Sequence, residues 1–290
     1  MSVSDSQPLL IVALGGNALS PPGRGGEGYA DERRIVAQTA RTLRDLAGLG
    51  RRLLIVHGNG PQVGRLLRTD PEPGNLDIHV AQTQGELGYL IARELAPEPV
   101  VGVLTRVVVS EPLGAPVKPI GPILAERPQK AASVPAGSGW RLVVPSPKPA
   151  RVVEIKAVAQ LLKSSHVVAG GGGGVPLDEE GNPLNCVVDK DWVASLFAVG
   201  LHAQSLVFAT DVSGVHPDPE RQGERIDRLS VADAEQLLAS DAVAPGSMAP
   251  KLASAVEFVS SSGRSAGICD LESLAAFAGG DESAGTVITP

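Results

Sequence analysis

Apolar runs that stop abruptly on glycine recur along the chain. Residues 9–14 are uniformly apolar and run into Gly15, Gly16 and Asn17; residues 53–56 repeat the pattern before His57, Gly58, Asn59 and Gly60. A third run over 166–169, opening on His166, precedes five consecutive glycines, 170–174. Runs of this length without alternation predict strands buried on both faces, and terminal glycines mark sharp or close-approaching loops. Between the first two runs, Ile35, Val36, Thr39, Leu43, Leu46 and Ala47 fall at three- and four-residue steps, which predicts a helix over 31–49. Strand, glycine loop, helix, strand, glycine loop is the opening of a parallel sheet covered by helices.

Further helical patterns cover 83–95, 155–163, 189–199 and 251–260, and strand patterns cover 100–109, 205–209, 265–269 and 285–288, with a loop at 211–216. Nine prolines between 111 and 149 break every helix there and leave short extended pieces at 120–124 and 142–144. That segment reads as an excursion from the main sheet, a flap or small β-subdomain. A linker is the competing account, but Trp140, Leu142 and Val143 give the segment something to pack. No internal repeat is present.

The chain has 290 residues, enough for one substantial α/β body with two lobes. Its formal charge is −7, which argues against a nucleic-acid partner because phosphate backbones are bound by clustered cations. No apolar run approaches the roughly 18–20 residues needed to span a bilayer, and the polar start of the chain shows no signal-peptide pattern. Two cysteines, Cys186 and Cys269, cannot form a disulfide framework, so a reducing cytoplasm is the expected location.

Phosphoryl transfer between anions needs backbone N–H donors, cations for the moving charge and a carboxylate-held Mg²⁺. The two loops Gly15-Gly16-Asn17 and Gly58-Asn59-Gly60 follow successive strands, placing both at the carboxyl edge of the sheet, where ligands of open α/β sheets bind. Simple tight turns are the competing reading of each. Five glycines in a row are entropically costly unless something comes close; a phosphate or nucleotide is the expected neighbour, and a hinge the alternative. The G-x-x-x-x-G-K-[ST] string of P-loop proteins is absent from the sequence.

Asp189, Lys190 and Asp191 open a predicted helix, where one aspartate serves as a cap. Lys190 is suited to balance phosphoryl charge, and Asp191 to orient it or help place the metal. Lys251 at a helix start opposes the helix dipole, a conflict that an anion nearby would remove; a solvent-exposed lysine is the competing reading. Lys118, between prolines of the excursion, suits a flap that closes a cation over a substrate. Lys148 reads as a surface lysine, and His57 as either an oxyanion donor or a structural histidine. His79, His166, His202 and His216 lack metal-ligand spacing.

These blocks together resemble the carbamate kinases of the amino-acid kinase superfamily. The resemblance rests on Leu14-Gly15-Gly16-Asn17-Ala18, His57-Gly58-Asn59-Gly60-Pro61-Gln62, Lys118-Pro119-Ile120-Gly121-Pro122 and Pro145-Ser146-Pro147-Lys148-Pro149. Colinear with them are Gly171 to Gly174, Val188-Asp189-Lys190-Asp191, Thr210-Asp211-Val212, Pro245-Gly246-Ser247-Met248 and Pro250-Lys251. The resemblance implies one domain over 1–290: a three-layer αβα sandwich around a mainly parallel eight-stranded sheet, with a protruding subdomain at 111–149. It implies an acceptor lobe over 1–200 and a nucleotide lobe over 201–290, and a homodimer.

The implied reaction is reversible phosphoryl transfer between ATP and carbamate, giving ADP and carbamoyl phosphate, with Mg²⁺ accompanying the nucleotide and no dedicated protein metal site. Carried over by position, Gly15, Gly16, Asn17, Gly58, Asn59 and Gly60 hold acceptor and phosphate. Lys190, Lys251, Asp191 and Lys118 are catalytic, and Gly171, Gly172, Thr210, Asp211, Ser247 and Met248, with Lys251, belong to the nucleotide. The family pattern has Thr and an aromatic residue where this chain has Val117 and Ile123, and the segments 122–139 and 67–77 are shorter. A kinase for another small carboxylate or phosphonate, or a non-catalytic nucleotide-binding module of the same fold, are the alternatives.

Overall fold

A computed structural model describes residues 7–19, 29–70, 75–129, 131–217, 224–240, 242–244 and 246–290. Positions 1–6 of the polar start, 71–74 of the shortened segment and Pro245 of the motif before Lys251 lie outside the described residues.

The chain runs β1 (Leu9–Leu14), α1 (Tyr29–Gly48), β2 (Arg52–His57), α2 (Gly60–Thr69), α3 (Leu76–Leu95), β3 (Val100–Gly102) and β4 (Arg106–Val108). It continues through β5 (Lys118–Leu124), β6 (Ser133–Ala136), β7 (Gly139–Val144), β8 (Arg151–Val152), α4 (Ile155–Leu161), β9 (His166–Val168) and β10 (Val175–Leu177). The remaining elements are α5 (Lys190–Gly200), β11 (Ser205–Thr210), β12 (Arg228–Ser230), α6 (Val231–Ala239), α7 (Met248–Ser262), β13 (Ala266–Asp270), α8 (Leu274–Ala278) and β14 (Thr286–Thr289).

Eight strands form one sheet in the order β12-β14-β13-β11-β1-β2-β9-β3, parallel throughout except for the β13–β14 pair. The period of two in the strands divides the interior into two cores. Ile11, Ala13, Leu54, Val56, Leu206 and Phe208 join Val193, Phe197, Leu252 and Phe258 of α5 and α7. Their neighbours Leu10, Val12, Leu14, Leu53 and Ile55 join Val36, Leu43, Leu87 and Ile91 of α1 and α3 on the other face. Both faces are thus covered, which is why these strands read as unbroken apolar runs, and the result is the expected αβα sandwich.

The excursion is the expected β-subdomain, an antiparallel sheet in the order β5-β7-β6. A separate apolar cluster, including Val63 and Leu67 of α2, Val80 of α3 and Ile120 of β5, seats it on the body.

Several element boundaries differ from the sequence pattern. The single strand expected over 100–109 is two strands in different sheets. Gln84 sits at the break: its amide donates to Thr105 O at 3.1 Å and its carbonyl accepts from Thr105 N at 2.8 Å, while Thr105 O also accepts from Val175 N–H of β10 at 2.9 Å. Residues after Gly60, to which the sequence pattern assigns no element, form α2, with Pro61 in its first turn where proline's missing N–H costs nothing. The helix expected from 83 begins at Leu76, and the one expected from 251 begins at Met248.

Candidate active site

Strands β1, β2 and β11 are parallel neighbours, so Leu14, His57 and Thr210 end at one edge of the sheet. The loops that follow are laced together by main-chain bonds: Gly15 N–H donates to Ala209 O at 3.0 Å, and Gly58 N–H to Leu14 O at 3.2 Å. A Cβ on Gly58 would stand 3.3 Å from Gly16 N and 3.7 Å from Lys190 Cε. Glycine at 58 therefore lets both loops and the start of α5 meet at one place. Gly16 and Asn17 lie in a short helical turn, Gly16–Ala18, and Asn59 precedes α2, where its side-chain amide donates to Thr83 Oγ1 at 2.9 Å.

Lys190 and Lys251 converge there from two helices. Lys190 Nζ donates to Asp191 Oδ1, and Lys251 Nζ reaches Asp191 Oδ2 at 3.2 Å and Ser247 O at 3.1 Å. One buried carboxylate thus spreads its two oxygens across two ammonium groups, and it is the anion that Lys251's place in the first turn of α7 required. Asp189 caps α5 by accepting from Asp191 N–H at 3.0 Å, and its other oxygen accepts from Lys118 Nζ at 2.6 Å. The acidic triplet is accounted for: one aspartate caps the helix and receives the flap lysine, the other holds the two remaining lysines.

Three cations and two carboxylates leave this cluster with one excess positive charge. Burial would raise the Asp189 carboxyl, but Lys118 and Lys190 hold it down at about 2. Burial lowers the Lys190 ammonium's pKa and Lys251 adds to that, while Asp191 and Asp189 oppose it. Such a group is stabilised when an anion arrives. His57 is buried, its Nδ1–H donates to Gly58 O at 2.9 Å, and burial lowers its pKa to about 4. It is neutral at physiological pH, which favours the structural reading of this residue.

The glycine run is approached closely, but by protein. A Cβ on Gly171 would lie 2.6 Å from the His57 ring, one on Gly172 2.0 Å from Asn59 Nδ2, and one on Gly173 2.0 Å from Val188 O. Gly171 and Gly172 therefore stand beside the second glycine loop, far in the chain from the other residues expected to meet a nucleotide. Those divide into two groups. Thr210 and Asp211 line a cleft of about 80 Å³ with Gly15, Ala18, Ala209 and Leu271. Ser247 and Met248 begin α7, next to Lys251. A wider cavity of about 540 Å³ sits on the protruding sheet between Pro116 and Val143 and shares none of the predicted site residues.

Sequence reasoning missed the groups that hold these parts. Thr83 fixes Asn59, while Gln84 fixes Thr105, whose Oγ1 accepts from Gly170 N–H at 2.8 Å. Both come from α3, and no spacing rule pairs them with loops so distant in sequence. Arg65 of α2 is clamped by Glu32 at 2.7 Å and Glu86 at 2.6 Å, with Gln62 also donating to Glu32. Burial raises the Glu32 carboxyl's pKa, against the pull of Arg65.

Among the described residues no group of three or more His, Cys, Asp or Glu is placed to hold a metal ion. Asp189 and Asp191 spend their oxygens on lysines and a cap, a donor set suited to orienting ammonium groups.

The glycine-loop edge and opposed lysines sit on the fold of the amino acid kinase family, whose model matches residues 8–270, and the chain belongs to that family. Within it the chain falls with the carbamate kinases. It is 38% identical to carbamate kinase 1 of Enterococcus faecium, over 97% of this chain and 98% of that one. Carbamate kinase of Halobacterium salinarum is 36% identical over 97% and 98% of the two chains. A solved structure of carbamate kinase from Giardia lamblia bound to AMP-PNP matches with a TM-score of 0.87 and 27% identity, covering 98% of this chain and 99% of that one.

Proposed function

We propose that the protein is a carbamate kinase, moving a phosphoryl group reversibly between ATP and carbamate. The observation that carries the reading is the pair of ammonium groups, Lys190 and Lys251, held on the two oxygens of Asp191 beside paired glycine loops. Likeness to carbamate kinases along 97% of the chain supplies the acceptor.

In this account the acceptor lies against the Gly15–Gly16–Asn17 and Gly58–Asn59–Gly60 loops, with Gly171 and Gly172 behind them. The nucleotide occupies the side of Thr210, Asp211, Ser247 and Met248. A carbamate oxygen and the ADP β-phosphate then face each other across the lysines. Lys190 and Lys251 neutralise the equatorial oxygens of the phosphoryl in flight, and Lys118 brings a third cation from the protruding sheet. Carbamate is already an anion, so no general base is needed. Mg²⁺ enters with the nucleotide as part of the substrate and neutralises phosphate charge.

The lobes 1–200 and 201–290 correspond to acceptor and nucleotide sides. Ile78 and Tyr89, both exposed on one face of α3 about three turns apart, suit a homodimer contact. Both cysteines are free and buried, with burial pushing their thiols up to about 12, which fits a reducing cytoplasm. Among the described residues no helix is long and apolar enough to cross a membrane.

The test is ATP formation from carbamoyl phosphate, ADP and Mg²⁺ by purified protein. Production well above a metal-free control is expected. No ATP, or ATP only from a different acyl phosphate, refutes the carbamate reading.

A further inference from the structure

The protruding sheet is fastened to the body on its return as well as on its way out. Outbound, β5 carries Lys118, which reaches Asp189. The return segment, residues 145–149, makes its own attachments. Val187 N–H donates to Pro145 O at 3.1 Å, two residues before the Asp189 cap. Lys148 then places its ammonium 4.3 Å from the centre of the Trp192 ring and pairs with Glu257 at 2.6 Å.

Trp192 follows Asp191 on α5, and Glu257 lies on α7 beyond Lys251. Lys148 therefore touches both helices whose first turns present the phosphoryl-handling lysines, from the sheet that carries the third. Its side chain is 46% exposed, so the surface reading is half right. A merely solvated lysine, however, is not stacked on an indole and paired with a carboxylate of a second helix. Prolines at 145, 147 and 149 restrict φ around it. A displacement of Lys148 is accordingly passed to β7, and through the β5–β7 pairing, where Lys118 faces Val144, to Lys118 itself.

We propose that Lys148 is a positioning residue: its contact with Trp192 and Glu257 fixes the protruding sheet, and with it Lys118, relative to α5 and α7. The proposal rests on the phosphoryl-transfer reading above. With Lys148 half exposed the ion pair alone contributes little, so the indole contact is the main element, with an effect on the order of two- to thirtyfold in an equilibrium.

Two variants of the full chain test it: Lys148→Met, which keeps the stem and removes the charge, and Lys148→Arg, which keeps a cation that stacks on indole. Amide hydrogen exchange over 118–124 and 139–144 is measured without substrates, and KM and kcat are measured for carbamoyl phosphate and for ADP. In Lys148→Met, exchange in those strands accelerates by roughly two- to thirtyfold. KM for carbamoyl phosphate rises over the same range, while KM for ADP stays within about twofold. Lys148→Arg restores both readouts. Unchanged exchange in Lys148→Met overturns the proposal, as does an arginine variant no better than methionine. A parallel rise in both KM values with a lower Tm also overturns it, because that marks general loosening. If the wild-type protein forms no ATP, the function proposed above fails, and the exchange measurement still decides whether Lys148 holds the sheet.

Discussion

In Lys190→Met the aliphatic stem that lies against Gly58 remains and only the ammonium is lost, which avoids the cavity an alanine would leave. The side chain is 10% exposed and its charge is buried at a cost that Asp191 offsets. Orphaning the partner of a buried ion pair ordinarily costs about 3–5 kcal/mol. Here Asp191 keeps Lys251 at 3.2 Å, and the cluster goes from one excess positive charge to neutral, so the loss of stability falls below that range. Catalysis has no such substitute. Removing one preorganised donor aimed at the charge of the transition state costs about 2.7–4 kcal/mol, a fall of roughly 10² to 10³ in turnover. The double variant with Lys251→Met falls short of the sum of the single effects, because both ammonium groups act through one carboxylate on the same oxygens. The assay is turnover at saturating carbamoyl phosphate, ADP and Mg²⁺, beside a thermal melt of each variant. Near wild-type turnover in folded Lys190→Met refutes the reasoning and leaves the 189–191 triplet as a helix cap alone.

Gly172→Ala, at φ +62°, drives a methyl into the Asn59 amide; it is expected to lower stability by about 1–3 kcal/mol and to raise KM for carbamoyl phosphate more than for ADP, read by melts and initial rates. His57 has its pKa lowered to about 4 from 6.5, so the unfolded chain takes up the proton first as pH falls. Its contribution to stability is complete above about pH 6.5 and is lost progressively toward pH 4, by up to about 3 kcal/mol; denaturant titrations at stepped pH check this, and a His57→Gln variant with the same pH dependence contradicts it. Asp189→Asn removes the partner of Lys118 while retaining an acceptable helix cap, so turnover is expected to fall with little change in the helical circular dichroism signal, and a variant with unaltered kinetics removes that ion pair from the mechanism.

The doubly covered strands were legible because burial on both faces removes alternation: β1, β2 and β11 stand within a residue of their expected ends. Lys190, Asp191 and Lys251 were legible as a conflict, acidic and basic groups crowded at two helix starts, though not that one carboxylate serves both lysines. What stayed hidden depends on contacts across distant segments. The strand expected over 100–109 divides at Thr105, where Gln84 of α3 bonds both backbone groups of that residue. The glycine run was legible as a close approach, but composition could not say that His57, Asn59 and Val188 are what approach. Helix α6 carries a signal that was overlooked, the Ser230–Asp233 capping box.

The central claim is that the phosphoryl group passes between Lys190 and Lys251. A crystal structure with ADP, Mg²⁺ and aluminium fluoride, a planar mimic of that group, tests it most directly. Fluoride atoms are expected at about 2.7–3.1 Å from both ammonium nitrogens, with the Gly15–Gly16–Asn17 and Gly58–Asn59–Gly60 loops on the acceptor side. A planar group bound with neither lysine within reach, or held on the far side of Asp191, contradicts the account.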